Sequence, residues 1–362
     1  MIANTLARYF ATRFVFAAIA VFSGIFLLIV FVDYIEMLRR TSSLPSVSAM
    51  LALQTSLYRV PQLLERLMPF CILVGAMSCY LSLSRKLELV VARAAGVSAW
   101  QFITPALLSA LVLGALATAV YNPMSANLQE RSKQMEAEMF GGTSASMQDA
   151  AGFWINQATS EGQAIINAAN SQAQGLRLSG LTIIRFEPNN AFKERIEARE
   201  ATLEPGRWRL KEVRRYTLDN PPVLQPEVFL ATNLTPAQVR NSFSTPETVS
   251  FWQLPEYIKS SESSGFATAG YRLQYQKLIS RPFLLAAMVM LAAAVSLRFF
   301  RFGGVQKMVL SGVAAGFLLY VLSKVTEDLS KADLMHPVAA AWLPVGVGGL
   351  VGLLALLYQE DG

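Results

Sequence analysis

The chain has 362 residues, 53% of them apolar and only 15% charged, against about 25% charged in soluble domains. Residues 123–270 hold 14 basic and 16 acidic residues, leaving 17 basic and 9 acidic elsewhere, so a net −2 block interrupts a net +8 remainder. That partition excludes a simple soluble enzyme and a uniformly membrane-buried bundle, and points to a water-exposed domain inserted between membrane segments.

Residues 14–32 form the first uncharged run. Its length approaches the roughly 20 apolar residues that cross a bilayer as a helix and exceeds the core of a signal peptide. Asp33-Tyr34-Ile35-Glu36 follows in place of a small-residue cleavage site, so the run reads as a retained helix. Residues 67–84 and 102–121 give the second and third spans, and 282–297, 308–323 and 337–358 give the last three. The fourth and fifth are short and extend over residues 278–281 and Lys324 by snorkelling. Cys71 and Cys79 share one apolar run; as helix neighbours they are about 12 Å apart, beyond the roughly 7 Å that a disulfide tolerates.

Basic residues in short loops set orientation. Arg8 and Arg13, then Arg85, Lys86 and Arg93, then Arg298, Arg301 and Lys307 share one side of a six-helix arrangement. That side is cytoplasmic, with both termini inside and the long block outside. Arg39, Arg40, Arg59 and Arg66 fall on the outer side, against the trend.

The polar block reads as strands. Residues 162–167 and 181–186 are short, and the second is rich in β-branched residues. Residues 196–203 alternate apolar and polar, then pass through Glu204-Pro205-Gly206 into 208–213 as a hairpin. Short strands at this spacing imply a sandwich or jelly roll. Asn233-Leu234-Thr235-Pro236 begins a loop, residues 254–260 a short helix, and residues 260–264 a serine-rich linker. Trp154, Trp208 and Trp252 are expected in the β core, Trp100 and Trp342 at the membrane interface or in packing.

The chain offers little for catalysis. Its one histidine, His336, precedes Pro337 at the start of the last helix. No H-E-x-x-H, cysteine cluster, G-x-S-x-G or G-x-x-x-x-G-K-[ST] occurs; Gly303-Gly304 is a turn rather than a phosphate cradle. Energy must come from an ion gradient or a partner. After the second span, Leu87, Val90, Val91 and Ala94 fall on one helical stripe, with Ser84 a candidate N-cap and Gly96 a candidate C′ residue. This short amphipathic helix either rests on lipid headgroups or docks into a cytoplasmic partner, with Glu88 projecting near its start.

Glu88-Leu89-Val90-Val91-Ala92-Arg93-Ala94-Ala95-Gly96-Val97-Ser98 resembles the coupling helix of the LptF/LptG permeases of lipopolysaccharide export. Residues 31–40, Asn233-Leu234-Thr235-Pro236 and residues 271–282 also resemble segments of that family, the first nearer to its LptG branch than to LptF. The likeness covers nearly the whole chain. It implies a six-helix membrane subunit (residues 1–122 and 271–362, coupling helix 84–97) with an inserted periplasmic β-jelly-roll domain, 123–270. It implies pairing with LptF on a dimer of the ATPase LptB, which holds the ATP and Mg, so that this chain itself binds no cofactor and no metal. Stacking with LptC and LptA, and extraction of lipopolysaccharide from the outer leaflet of the bacterial inner membrane, follow from the same likeness, and no nucleic acid is involved.

By that resemblance Arg85, Glu88, Leu89, Arg93 and Gly96 couple to the ATPase. Arg39, Arg40, Arg59 and Arg66 are expected to meet the lipid A phosphates, for which guanidinium groups are suited; Pro61 would open the second helix, with Arg59 near its cap. Val30 and Gln62 are uncharged where family members can carry further basic residues. Lys324, Glu327 and Asp328 are spaced for a salt bridge or gate contact, with Lys324 able to pair with either acid, and Glu65 is expected to neutralise a nearby arginine. The alternatives are the paralogous LptF subunit, an ion-coupled lipid transporter, or a membrane-anchored binding protein whose β domain does the work.

Overall fold

A computed structural model describes residues 2–42, 48–139, 153–159, 162–172, 176–187, 191–217, 221–232, 245–263, 268–300 and 305–361. It divides into two compact units, Met1–Gln129 with Ser250–Leu254 and Ala269–Gly362, and Glu130–Val249 with Pro255–Thr268. Asn233-Leu234-Thr235-Pro236, Arg301, Gly303-Gly304 and the side chain of Trp154 lie outside the described residues.

The first unit is helical. Helix α1 (Ile2–Thr41) is 40 residues long, roughly 60 Å at 1.5 Å per residue. It outruns the expected span because its polar ends are themselves good helix formers. Arg39 and Arg40 in the last turn complement the helix dipole, and the Thr41 hydroxyl donates to the Met37 carbonyl at 2.9 Å. Helix α2 (Ala49–Arg85) starts at Ser48, whose hydroxyl accepts the Leu51 N–H, and carries Pro61 and Pro69 in its interior. Helix α3 (Glu88–Ala94) is a short connector. Helix α4 (Ala99–Leu116) opens with a Ser98–Gln101 capping box and passes through a π turn at Ala117–Tyr121 into α5 (Asn122–Met139). Helix α6 (Leu254–Ser263) takes in most of the serine-rich run expected as a linker. Then come α7 (Ala269–Phe300), α8 (Val305–Lys331) and α9 (Pro337–Asp361). His336 is a helix-end residue, its Nδ1 accepting the Val338 N–H at 3.3 Å.

Six described helical stretches are long and apolar enough to cross a membrane. The most buried are α2 and α7, while α1 turns most of its apolar surface outward. Close helix contact needs small residues at the crossing points. A Cβ on Gly75 would come within 2.7 Å of the Ala18 Cα, and Gly114 faces Pro282 with no room for one. Gly312 lies on Met77, Gly316 on Leu73, and the Phe70 and Tyr320 rings are 5.8 Å apart, which fixes α2 and α8 as antiparallel neighbours.

The second unit contains the inserted all-β domain. Strands β1 (Phe153–Thr159), β2 (Gly162–Gln172), β3 (Arg177–Phe186), β4 (Phe192–Glu204), β5 (Arg207–Tyr216) and β6 (Val223–Ala231) form one antiparallel sheet in sequence order. β1 and β6 add strands that the sequence pattern did not disclose. The buried cluster of this sheet includes Ile166, Leu181, Ile183, Ile196, Trp208, Leu210 and Leu230, and all its buried members are strand residues. One face of the sheet therefore carries the core.

One line crosses this sheet. The pairs Ala169 and Gly180, Gly180 and Arg199, Arg199 and Glu212, and Glu212 and Pro226 are missing from the ladder, while the register on either side of them is unchanged. Gly180 and Glu212 there have φ of 65° and 51°. Each of β3, β4 and β5 shifts its inward phase by one residue there, from Leu178 to Leu181, Ala198 to Ala201 and Leu210 to Val213, while the pairing between neighbouring strands is kept. Trp252, expected in this core, instead belongs to the helical unit and is 65% exposed.

Candidate functional site

The loop between α2 and α4 carries the expected short helix with altered boundaries. Ser84 is not its cap, because α2 continues through Arg85 and buries Ser84. The chain reverses at Leu87, whose φ of 60° is left-handed, an uncommon conformation for a residue with a Cβ. The far end is as expected. Gly96 has φ +86°, its N–H reaches the Arg93 carbonyl at 2.9 Å, and the Val97 N–H reaches that of Ala92 at 3.1 Å. That pair of bonds is a Schellman cap, for which glycine is the favoured residue.

The two faces of α3 are sharply different. Leu89 and Ala92 are buried, Leu89 in the main helical core. Leu87, Val90, Val91 and Ala94 form the exposed stripe, with Leu87 59% and Val91 67% accessible. Arg85 is exposed beside them. Glu88 does not simply project: its Oε2 accepts the Tyr9 hydroxyl at 2.8 Å. Arg93 lies over the Phe102 ring, 5.9 Å from its centroid.

The arginines at the other end of α1 separate into two kinds. Arg39 and Arg40 both bind Glu36, at 2.8 and 2.9 Å, and remain largely exposed. Arg59 is drawn inward to Asp33, which is only 8% exposed and also accepts from Ser56. Arg59 is not near a helix cap, because Pro61 falls within α2 rather than at its start. Arg66 lies on α2, exposed, one turn before Phe70. Lys324 lies one turn beyond Tyr320 on α8, so the Phe70–Tyr320 contact sets Lys324 and Arg66 at matching heights on neighbouring helices.

Lys324 pairs with Asp328 at 3.1 Å. Glu327 takes different partners, Lys277 of α7 and Lys331, each at 2.7 Å.

A buried carboxylate inside the bundle was the feature least visible in the sequence. Glu65 is 6% exposed. It accepts Asn122 Nδ2 at 2.8 Å and Arg281 Nη1 at 2.6 Å, and also the Ser125 hydroxyl. An arginine partner was expected for it nearby; the partner is 216 positions away on α7. Asn122 also accepts the Phe251 N–H at 2.9 Å through Oδ1, and Tyr121 donates to the Pro61 carbonyl at 2.9 Å. The adjoining π turn is stitched at the Ala119 carbonyl by the Trp252 indole, 3.0 Å, while Thr118 donates to the Leu278 carbonyl at 2.8 Å. Four stretches of chain are therefore joined at one point, and π turns of this kind recur at functional positions.

Residues 8–358 match the family described as "Lipopolysaccharide export system permease LptF/LptG". Among curated proteins, the chain is similar to the lipopolysaccharide export system permease protein LptG of Escherichia coli K12, 25% identical over 341 residues and 91% of each chain. It is also similar to the protein of the same name from Haemophilus influenzae Rd, 20% identical over 352 residues, covering 94% of this chain and 95% of that one.

Proposed function

The chain belongs to the LptF/LptG family of lipopolysaccharide export permeases and is most like LptG; from that premise we propose that it is the LptG-type half of an ATP-driven lipopolysaccharide extractor. It is a multi-pass inner-membrane permease. The N- and C-termini and α3 face the cytoplasm, and the β-sheet domain faces the periplasm. LptF completes the membrane pair, and a dimer of LptB supplies ATP and Mg from the cytoplasmic side.

The observation that carries this function is the exposed apolar stripe of α3. A seven-residue helix is too short to persist on its own in water. Here Leu89 and the Gly96 cap hold it in place while Leu87, Val90 and Val91 stay uncovered. A helix face presented in this way suits a groove on a partner.

At the opposite end, Arg39, Arg40, Arg66 and Lys324 offer cations for the phosphates of lipid A, and Arg59 has a different role. Its pairing with buried Asp33 holds α1 against α2. Ion-coupled transporters also carry acidic residues within their helices, so Asp33 and Glu65 bear on that alternative. Both are paired with arginine, which suits locks between helices better than ion carriers. Lipopolysaccharide then leaves along the β domain toward LptC and LptA.

The test is release of lipopolysaccharide from proteoliposomes containing this chain, LptF and LptB. Release that requires ATP and persists after ionophores collapse all gradients supports the proposal. Release that follows an ion gradient without ATP would overturn it.

A further inference from the structure

We infer that Tyr9 is a positioning residue that links α3 to α1, so that force delivered to α3 moves α1 as a rod. The inference rests on the proposal that α3 docks on an ATPase, and it names the first step by which that docking reaches the membrane helices.

Glu88 is on α3, yet its carboxylate turns toward Tyr9, 79 positions earlier in the chain. The Tyr9 hydroxyl donates to Glu88 and accepts from Arg13 Nε at 3.1 Å. A hydroxyl that accepts from a cation while donating to a carboxylate is polarised from both sides, which strengthens the chain of bonds. Arg13 also lies over the Tyr9 ring, 5.2 Å from its centroid, and so holds the ring in the orientation that the bond to Glu88 requires. Beside this link, Phe10 and Phe14 enter the same core as Leu89 and Phe102, and the Phe10 and Phe102 rings are 6.1 Å apart. Polar and apolar contacts thus join α3 to the first turns of α1 at one place.

What α1 does with that force depends on its stiffness. Helices α2, α4, α7 and α9 each contain an interior proline, the commonest site of a helix kink. Helix α1 contains none. Much of its apolar surface is exposed, and its middle leans on α2 where Ala18 crosses Gly75. From Tyr9 the helix runs about 36 Å, at 1.5 Å per residue, to Asp33, where Ser56 and Arg59 hold it to α2. A displacement of α3 is therefore carried along α1 to the end where the exposed arginines stand.

Tyr9→Phe removes only the hydroxyl and keeps the ring that packs beneath Arg13. In the full LptB-containing complex in proteoliposomes, both ATP hydrolysed and lipopolysaccharide released are measured. Tyr9→Phe should retain LptB and hydrolyse ATP within twofold of the parent rate, while lipopolysaccharide released per ATP falls at least fivefold. Because Tyr9 acts through Glu88, the double variant with Glu88→Ala should release no less per ATP than Glu88→Ala alone. Unchanged release per ATP in Tyr9→Phe, or losses that multiply in the double variant, would overturn the link and leave α3 docking intact. Failure of the parent chain to retain LptB would overturn the docking and the link together.

Discussion

At α3 the apolar side chains Leu87, Val90 and Val91 stand in the open, and the one carboxylate of the helix is turned back onto Tyr9. Farther along the bundle the arrangement is inverted, with Asp33 and Glu65 buried against Arg59 and Arg281. An uncovered apolar stripe forgoes the free energy that its burial would contribute. Buried ion pairs need every partner in place, because each charge has already lost its water. One region thus leaves apolar surface uncovered, whereas the other is satisfied within this chain.

Breaking the buried region should have the largest effect. Arg281→Met leaves Glu65 buried without its cation and should destabilise the helical unit by about 3–5 kcal/mol, measured by chemical unfolding in detergent. Adding Glu65→Leu should recover most of that loss; no recovery would mean that Arg281 acts outside the pair. Asp33→Asn keeps the shape but removes the charge facing Arg59, and about 1–3 kcal/mol should be lost in the same assay. Gly75→Val forces a branched side chain against the Ala18 backbone, a further loss of about 1–3 kcal/mol from overpacking. Val91→Asp should change stability by no more than about 0.5 kcal/mol, since the side chain is mainly exposed, yet lower LptB retention at least tenfold. Arg39→Ala should be similarly mild for stability, because an exposed pair within one helix contributes about 0–1 kcal/mol. Its expected deficit is in lipopolysaccharide photocrosslinking from neighbouring positions.

Much of this was legible in the sequence, for physical reasons that also mark where legibility ended. Six spans follow from hydropathy, which is local and cumulative. Their ends do not, because a polar stretch such as residues 33–41 extends a helix as readily as it ends one. Pro61 suggested a helix start, and only the Ser48 cap shows where α2 begins. The α3 stripe and its Gly96 cap were readable because both depend on neighbours within a few positions. Glu65 and Arg281 were not, since a pairing across 216 positions leaves no local pattern. In the β domain the inward phase breaks at Arg199-Glu200 and at Lys211-Glu212, where two polar residues follow one another. Those doublets mark the change of inward phase once the sheet is known, although the alternation around them reads as unbroken strands.

The most direct test places a photocrosslinking amino acid at Val91 in native membranes and identifies the adduct by mass spectrometry. A covalent product with the P-loop ATPase LptB, lost when Leu87 and Val90 are both changed to Asp, is the predicted result. Adducts with phospholipid alone would contradict it, and would make α3 a helix that rests on the membrane rather than one that receives the ATPase.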